Sequence, residues 1–312
     1  MSLVKRGKVK NVYEAGEDYL RFLFTDRISV FDKIIPSTVP DKGETLARTS
    51  TYWFEVADKM KIPNHYVCLE GPDIMLVKKV KVIKGYSKIT PKTTNYLIPL
   101  ECIERFFVYG SLWDRVKDGK INEEQLGFSA GHKIEKGEEL PQPFFELTTK
   151  LEHIDRNITT DEALKISGID NEIYEEMKET TLKIDKEINR MVRQRGLIHV
   201  DGKKEFALDS DRQLMLVDTF GTADEDRFWD AKEYEEGRFI ERSKEFVRQY
   251  YRNIGYHDKL MKVREENEKL KEKGLKLKRE PPIPPLSEGV IPQVREIYIN
   301  LFEDITGEKF NL

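Results

Sequence analysis

Residues 196–230, GLIHVDGKKEFALDSDRQLMLVDTFGTADEDRFWD, constrain this chain more than any other stretch. Gly196 is followed by the apolar pair Leu197 and Ile198, after which Asp201, Lys203 and Glu205 occupy every second position. Alternate side chains of a strand share a face, about 6.6 Å apart. These three ionisable groups therefore line one face, while Phe206 and Leu208 point to the other. Ser210, Asp211 and Arg212 read as a turn, and residues 214–217 as a returning apolar strand that ends on Asp218. A polar loop then leads to Arg227, just ahead of Phe228 and Trp229. Two carboxylates brought onto adjacent strands repel by roughly 4 kcal/mol at a few ångströms and intermediate dielectric. A divalent cation beside a lysine removes that penalty, and Mg2+ takes its ligands from carboxylates and substrate phosphates. The alternative is a surface hairpin with ordinary solvated charges, and only the rest of the chain separates the two.

The 312 residues, 38% hydrophobic and 35% charged, suffice for a sizeable core and two lobes. A net charge of -4 argues against a sequence-independent nucleic-acid binder, which is usually basic. No apolar run approaches membrane-spanning length, and MSLVKRGKVK carries no apolar segment behind its basic residues, so no signal peptide is expected. Cys68 and Cys102, the only cysteines, fit a reducing compartment without a disulfide framework or a zinc site.

Residues 7–13 (GKVKNVY) alternate, with Lys8 and Lys10 on one face. A turn over 15–18 and a strand over 19–25 complete a hairpin whose lysines either cover polyphosphate or form a basic edge. Neither GxxxxGK[ST] nor GxGxxG occurs, which excludes a P-loop and a Rossmann fingerprint. Residues 36–43 read as loop, 44–60 as a helix with Leu46, Trp53, Phe54 and Ala57 inward, and 74–82 as a strand carrying Lys78 and Lys79. A Lys/Thr/Pro segment over 85–95 reads as a loop or hairpin inserted at a lobe junction. Residues 100–107 read as a strand with Glu101, Ile103 and Arg105 on one face, closed by Tyr109-Gly110-Ser111. An arginine, a serine hydroxyl and a glycine-freed N–H can hold a phosphate monoester, the alternative being a strand end with a solvated arginine. Residues 118–139 read as a polar, mobile segment, and 141–157 as an aperiodic loop in which Lys150, His153 and Asp155 crowd together, a usual place for ligand contacts. His153 by itself reads as an ordinary loop histidine. Thr160 and Asp161 cap a short helix, and 173–195 is the longest amphipathic one, apolar at Met177, Ile184, Ile188 and Met191. Helices are further expected over 231–253, 257–273 and 292–302, with 279–285 (REPPIPP) as a rigid linker.

Taken together, GKVKNVYE (7–14), DRISVFD (26–32) with PDKG (40–43), IPLECIER with YGS (98–111), FELTTKLEHIDRNI (145–158), and GLIHVDGKKEF with LMLVDTFGTADEDRFWD resemble the SAICAR synthetases of purine biosynthesis. The resemblance covers nearly the whole chain. It implies an α+β fold in which a small β-rich lobe like a kinase N-lobe (1–97) sits on a larger α+β lobe (98–312), with ATP between them. It also implies an ATP-dependent ligase that joins L-aspartate to the carboxylate of 4-carboxy-5-aminoimidazole ribonucleotide (CAIR) through an acyl phosphate. Carried over by position, Lys8, Lys10 and Lys78 contact ATP, and Glu205 and Asp218 bind Mg2+ as part of the nucleotide site. Arg105, Ser111 and Arg227 hold the 5′-phosphate of CAIR, with Asp155 and Asp224 as further pocket positions. Asp201, Lys203 and Lys150 fall beside the reacting carboxylate. A cytoplasmic homo-oligomer, a dimer in the first instance, follows from the same resemblance, with no nucleic-acid or membrane partner. Thr219 stands where the family usually has Glu, and residues 85–95 intervene where the family runs almost directly from the KK strand into the next. A kinase-like phosphotransferase that needs no aspartate, and a silent nucleotide-binding homologue, are the competing functions.

Overall fold

The computed structural model describes residues 2–152 and 154–311, so His153 lies outside the described residues. Strands β1 (Leu3–Arg6), β2 (Lys10–Glu14) and β3 (Tyr19–Phe24) come first, then a ribbon of β4 (Arg27–Val30) and β5 (Lys33–Thr38). Helix α1 (Lys42–Lys59) and strands β6 (Tyr66–Gly71) and β7 (Ile74–Lys78) follow. These build an antiparallel sheet in the order β1-β2-β3-β7-β6, with α1 packed on it. A second sheet is made from β8 (Tyr96–Leu97), β9 (Leu100–Phe107), β10 (Glu139–Thr149), β11 (Asn157–Ile158), β12 (Leu197–Leu208), β13 (Leu214–Val217) and β14 (Arg227–Asp230). The remaining helices are α2 (Ser111–Lys117), α3 (Thr160–Ser167), α4 (Asn171–Arg193), α5 (Ala231–Glu235), α6 (Glu245–Asn253), α7 (Tyr256–Glu272) and α8 (Val290–Thr306), the last packed on α1. The fold is α+β, as expected.

Strand β12 is the hub. It pairs with β9 and β8 along one edge and with β14 and β13 along the other, and every residue except Lys203 is buried. Helix α4 covers its rear face. Asp170 starts that helix by accepting the Ile173 N–H at 3.0 Å, and Met177, Ile184, Ile188 and Val192 form the buried stripe. Each such side chain contributes about 1.5–3 kcal/mol on burial. Phe206 and Leu208 join the same core, so the alternation expected along this strand is observed.

Several expectations need correction. Residues 7–10 are a tight turn between β1 and β2, closed by the Gly7 N–H on the Lys10 carbonyl at 2.8 Å. Lys8 and Lys10 therefore do not share a strand face. Residues 33–38 are a strand, and α1 starts two residues earlier than the expected 44. Residues 139–149 are a strand too; Pro141 and Pro143 lack N–H donors and fall where the register against β9 jumps from Glu139 to Phe144. Residues 118–139 are anchored by Ile121 and Leu126 in a small apolar cluster with Val108, Leu112 and Leu140. Thr159, not Thr160, caps α3. The helix expected over 231–253 is split: Gly237 turns at φ 77°, and residues 240–242 return along β14. The segment 279–285 is packed rather than linking, its Pro281 and Pro284 carbonyls accepting the Tyr256 and Tyr251 hydroxyls.

Candidate active site

Between the first sheet and β12 lies a cavity of about 370 Å3, lined by Lys5 to Lys10 on one side and by Lys150, Lys203, Glu205, Asp218, Thr219, Thr222, Asp224 and Glu225 on the other. Lys203 sits at its floor, with Nζ 3.0 Å from Glu101, 2.7 Å from Glu205 and 2.9 Å from Glu225. Burial works against this ammonium, yet the three carboxylates hold its pKa well above the ordinary lysine value. Glu205 is 1% exposed. Burial alone would raise its pKa, but Lys150 at 2.5 Å and Lys203 keep it well below the usual carboxylate range. Asp218, at the end of β13, pairs with Lys10. Burial pulls Lys10 down to about 7 against the opposing pull of Glu205 and Glu225.

The loop after β13 is fixed by its own geometry. Asp218 adopts φ 65°, a left-handed conformation that Asp tolerates better than most residues. Gly221, at φ 66°, approaches Trp53 so closely that a Cβ would lie 2.4 Å from the indole. The Trp53 Nε1–H donates to the Gly221 carbonyl at 2.8 Å. Thr219 is buried and lines the cavity. Asp224 is held by Lys42 at 3.0 Å and by the Tyr298 hydroxyl at 2.5 Å. Against burial, Lys244 and Lys42 keep it ionised well below its usual range.

A second cluster lies where β9, β12 and β14 meet. Arg105 donates to Glu146 at 2.6 Å, to Asp201 at 2.9 Å and to the Ser111 hydroxyl at 3.1 Å. Arg227 reaches the same Asp201 oxygen at 2.5 Å and Glu245 at 3.2 Å. Gly110, at φ 57°, leaves room for it: a Cβ there would lie 2.8 Å from Arg227 Nη2. A further cavity of about 430 Å3 opens at Gly110 and Glu245, lined by Tyr109, Trp113, Lys136 and Arg252 among others.

The expected residues thus form two groups. Lys10, Lys150, Lys203, Glu205 and Asp218 converge on the first cavity, with Asp224 in its wall. Arg105, Ser111, Asp201 and Arg227 form the second. Lys8 lines the first cavity but pairs with Asp32 at 2.5 Å. Lys78 points elsewhere, donating to the Asn64 carbonyl at 3.3 Å. Asp155 is on the surface near both Glu101 and Lys150; partial desolvation, then repulsion from Glu101, lift it to about 6.

Other residues escaped the sequence reading. Lys5, Arg6 and Glu225 complete the cavity lining, and Lys42 is fully buried beneath it. Behind β12, Lys204 is enclosed by Asp185 and Asp226, and His199 Nε2 lies 2.8 Å from Asp226. Strand alternation carried the signal, since Lys204 falls on the core face, where an ammonium must find carboxylates. Asp185, His199 and Asp226 are close enough to hold an ion, but the Lys204 ammonium already supplies the positive charge among them. Glu205 and Asp218 suit a metal better. Both line the cavity, where a cation could displace the Lys150 and Lys10 ammoniums that their Oε2 and Oδ1 atoms now face, and carboxylate oxygens are the hard donors Mg2+ prefers.

The profile of the family described as SAICAR synthetase matches residues 3–263. A phosphoribosylaminoimidazole-succinocarboxamide synthase of Thermoplasma volcanium is 49% identical over 310 residues, which cover 99% of this chain and 100% of the relative. Among solved structures, the SAICAR synthase of Saccharomyces cerevisiae complexed with SAICAR superposes with a TM-score of 0.72 at 26% identity, covering 99% of this chain and 96% of that one. A type-2 SAICAR synthetase in complex with ADP gives a TM-score of 0.69 at 23% identity with 100% coverage of both chains, a likeness of fold. With the profile spanning most of its length and a relative this similar end to end, the chain belongs to the SAICAR synthetase family.

Proposed function

We propose that the first cavity is where ATP activates a carboxylate for ligation to L-aspartate. The protein is an ATP-dependent ligase of purine biosynthesis, giving SAICAR, ADP and phosphate. The observation that carries the site reading is Lys203 ringed by Glu101, Glu205 and Glu225 opposite the Gly7–Lys10 turn. It places one charged lysine and a set of acids at the face of a cavity whose other wall is basic.

A carboxylate is a poor electrophile. Transfer of the γ-phosphoryl group of ATP to the carboxylate oxygen of CAIR gives an acyl phosphate and releases ADP. The neutral amine of aspartate then attacks the acyl carbon, the C–O bond to phosphate breaks, and the amide forms with loss of a proton. Lys5, Arg6, Lys8 and Lys10 neutralise the phosphates from the N-terminal turn, and Lys150 and Lys203 stabilise charge on the transferring group. Mg2+ held by Glu205 and Asp218 would supply further charge neutralisation at the phosphates. Arg105, Ser111 and Arg227 take the 5′-phosphate of CAIR, which requires the two arginines to exchange part of their hold on Asp201. Asp201 thereby orients both guanidiniums, and Asp224 and Asp155 lie at the wall and mouth. The nucleotide lies between a lobe of residues 1–97 and one of 98–312, in a cytoplasmic homodimer.

The test is ADP release with MgATP and CAIR, with and without L-aspartate, products identified by mass. Aspartate-dependent ADP release with the succinocarboxamide mass is expected. ADP formed equally without aspartate would instead indicate a phosphotransferase.

A further inference from the structure

We propose that residues 85–95 form a strap that fixes the loop carrying Lys150, with Tyr86 as its positioning residue. This rests on the reading that Lys150 acts in the reaction. The Tyr86 hydroxyl lies 3.1 Å from the Lys150 carbonyl and 3.1 Å from Glu152 Oε1, so one phenolic proton is shared between both ends of a three-residue turn. The residue between them, Leu151, is held at φ 81°, a left-handed conformation costly for a branched side chain. Such a turn persists only where its surroundings impose it. The Lys150 N–H donates to the Pro99 carbonyl at 3.0 Å, and Arg156 holds Glu152 from the far side at 3.2 Å. Tyr86 alone, among the described residues, reaches the Lys150 carbonyl from another segment. Burial, then Glu152, pushes its phenol up to about 12, so it remains a donor at working pH.

The strap is itself anchored. At its other end Arg212 donates to the Thr93 carbonyl at 2.6 Å and to the Gly168 carbonyl at 3.2 Å, and the Asn95 N–H donates to Asp209 at 2.9 Å. Ile89 is buried against Gly168. The segment thus runs from the turn that joins β12 and β13, the strands leading to Glu205 and Asp218, to the loop that brings Lys150 to the cavity. Lys150 Nζ is 2.5 Å from Glu205 and 4.0 Å from Asp218. A shift of about 1 Å at a reacting centre can lower a rate by about a hundredfold.

The test is a double-mutant cycle on the whole protein with Tyr86→Phe and Lys150→Ala, read as kcat and KM for CAIR, together with amide exchange in residues 150–152. Tyr86→Phe should lower kcat about tenfold, the equivalent of one lost hydrogen bond, leave KM for CAIR unchanged, and speed exchange at 150–152. Lys150→Ala should lower kcat further, and the double variant should be no slower than Lys150→Ala. A full additional tenfold loss in the double variant, or parental exchange and kcat in Tyr86→Phe, overturns the strap. Parental turnover in Lys150→Ala overturns the underlying reading of Lys150, and the strap's catalytic role with it.

Discussion

Asp218 is the residue on which the proposed nucleotide half of the site turns, because it combines a left-handed backbone with a carboxylate oxygen that faces Lys10 at the wall of the first cavity. Asparagine tolerates the same conformation, so Asp218→Asn should fold normally while losing an anionic ligand. We expect turnover to fall by about a hundredfold or more, with a melting temperature close to the parent's. Near-normal turnover with ordinary magnesium dependence would remove Asp218 from the metal site. Arg227 plays the corresponding part in the second cluster. Its removal orphans neither neighbour: Glu245 keeps Arg248 at 3.0 Å and Arg252 at 2.7 Å, and Asp201 keeps Arg105. Arg227→Ala should therefore act on the ligand, raising KM for CAIR about 10- to 100-fold, as expected for a lost charge-assisted contact. If KM for ATP rose instead, the two anion sites would be interchanged.

At the scale of elements, β12 separates two jobs by face. Asp201, Lys203 and Glu205 meet the clusters in front, while Gly202 and Lys204 meet Asp185 and Asp226 behind. Asp226 also accepts the Gly221 N–H at 3.0 Å and the Lys203 N–H at 3.4 Å, so the rear network ties the strand to the loop after β13. A Cβ on Gly202 would lie 2.4 Å from Lys204 Nζ and 2.5 Å from Asp226 Oδ2. Gly202→Ala should cost about 1–3 kcal/mol of stability from overpacking, read as a shifted urea midpoint, and lower turnover by displacing Lys203. A parental midpoint would mean that the network yields without cost. Period-two alternation made β9 and β12 legible in the sequence, and a short apolar run after a turn did the same for β13, because each is half or wholly buried and carries no proline. The same signal misled at residues 7–13, where alternation continues through a four-residue turn. It was missing over 139–149, where two prolines interrupt both the pattern and the pairing. The split between α5 and α6 was hidden because residues 240–242 pair with β14, a long-range contact that no local periodicity records.

For the molecule as a whole, the cleft exists because distant segments are pinned across it. Lys42 of α1, Asp224 and Tyr298 of α8 share one buried network, and His65, just ahead of β6, donates its N–H to the Leu216 carbonyl. None of these pairings can be read from the chain, since their partners lie up to 182 residues apart. Burying so many ionisable groups also makes stability depend on pH. Glu104 is 2% exposed, and burial, then repulsion from Asp185, raises it to about 8. A carboxyl with a raised folded-state pKa binds a proton in the native state that the unfolded chain has already released. Its stabilising share is complete below its ordinary value near 4.5 and is lost as pH rises towards about 8. His65, pushed down to about 3 by burial and Lys10, works in the opposite sense up to its ordinary value of 6.5. The parent's own profile is therefore composite, and the difference between variant and parent isolates one group. Glu104→Gln keeps the shape without the charge, so its stability relative to the parent should increase between pH 5 and pH 8. The increase should be on the order of 1–3 kcal/mol, the scale of leaving a buried polar group unsatisfied. Urea midpoints of both proteins at the two pH values measure it. An equal gap at pH 5 and pH 8 would mean that Glu104 does not change its charge in this interval.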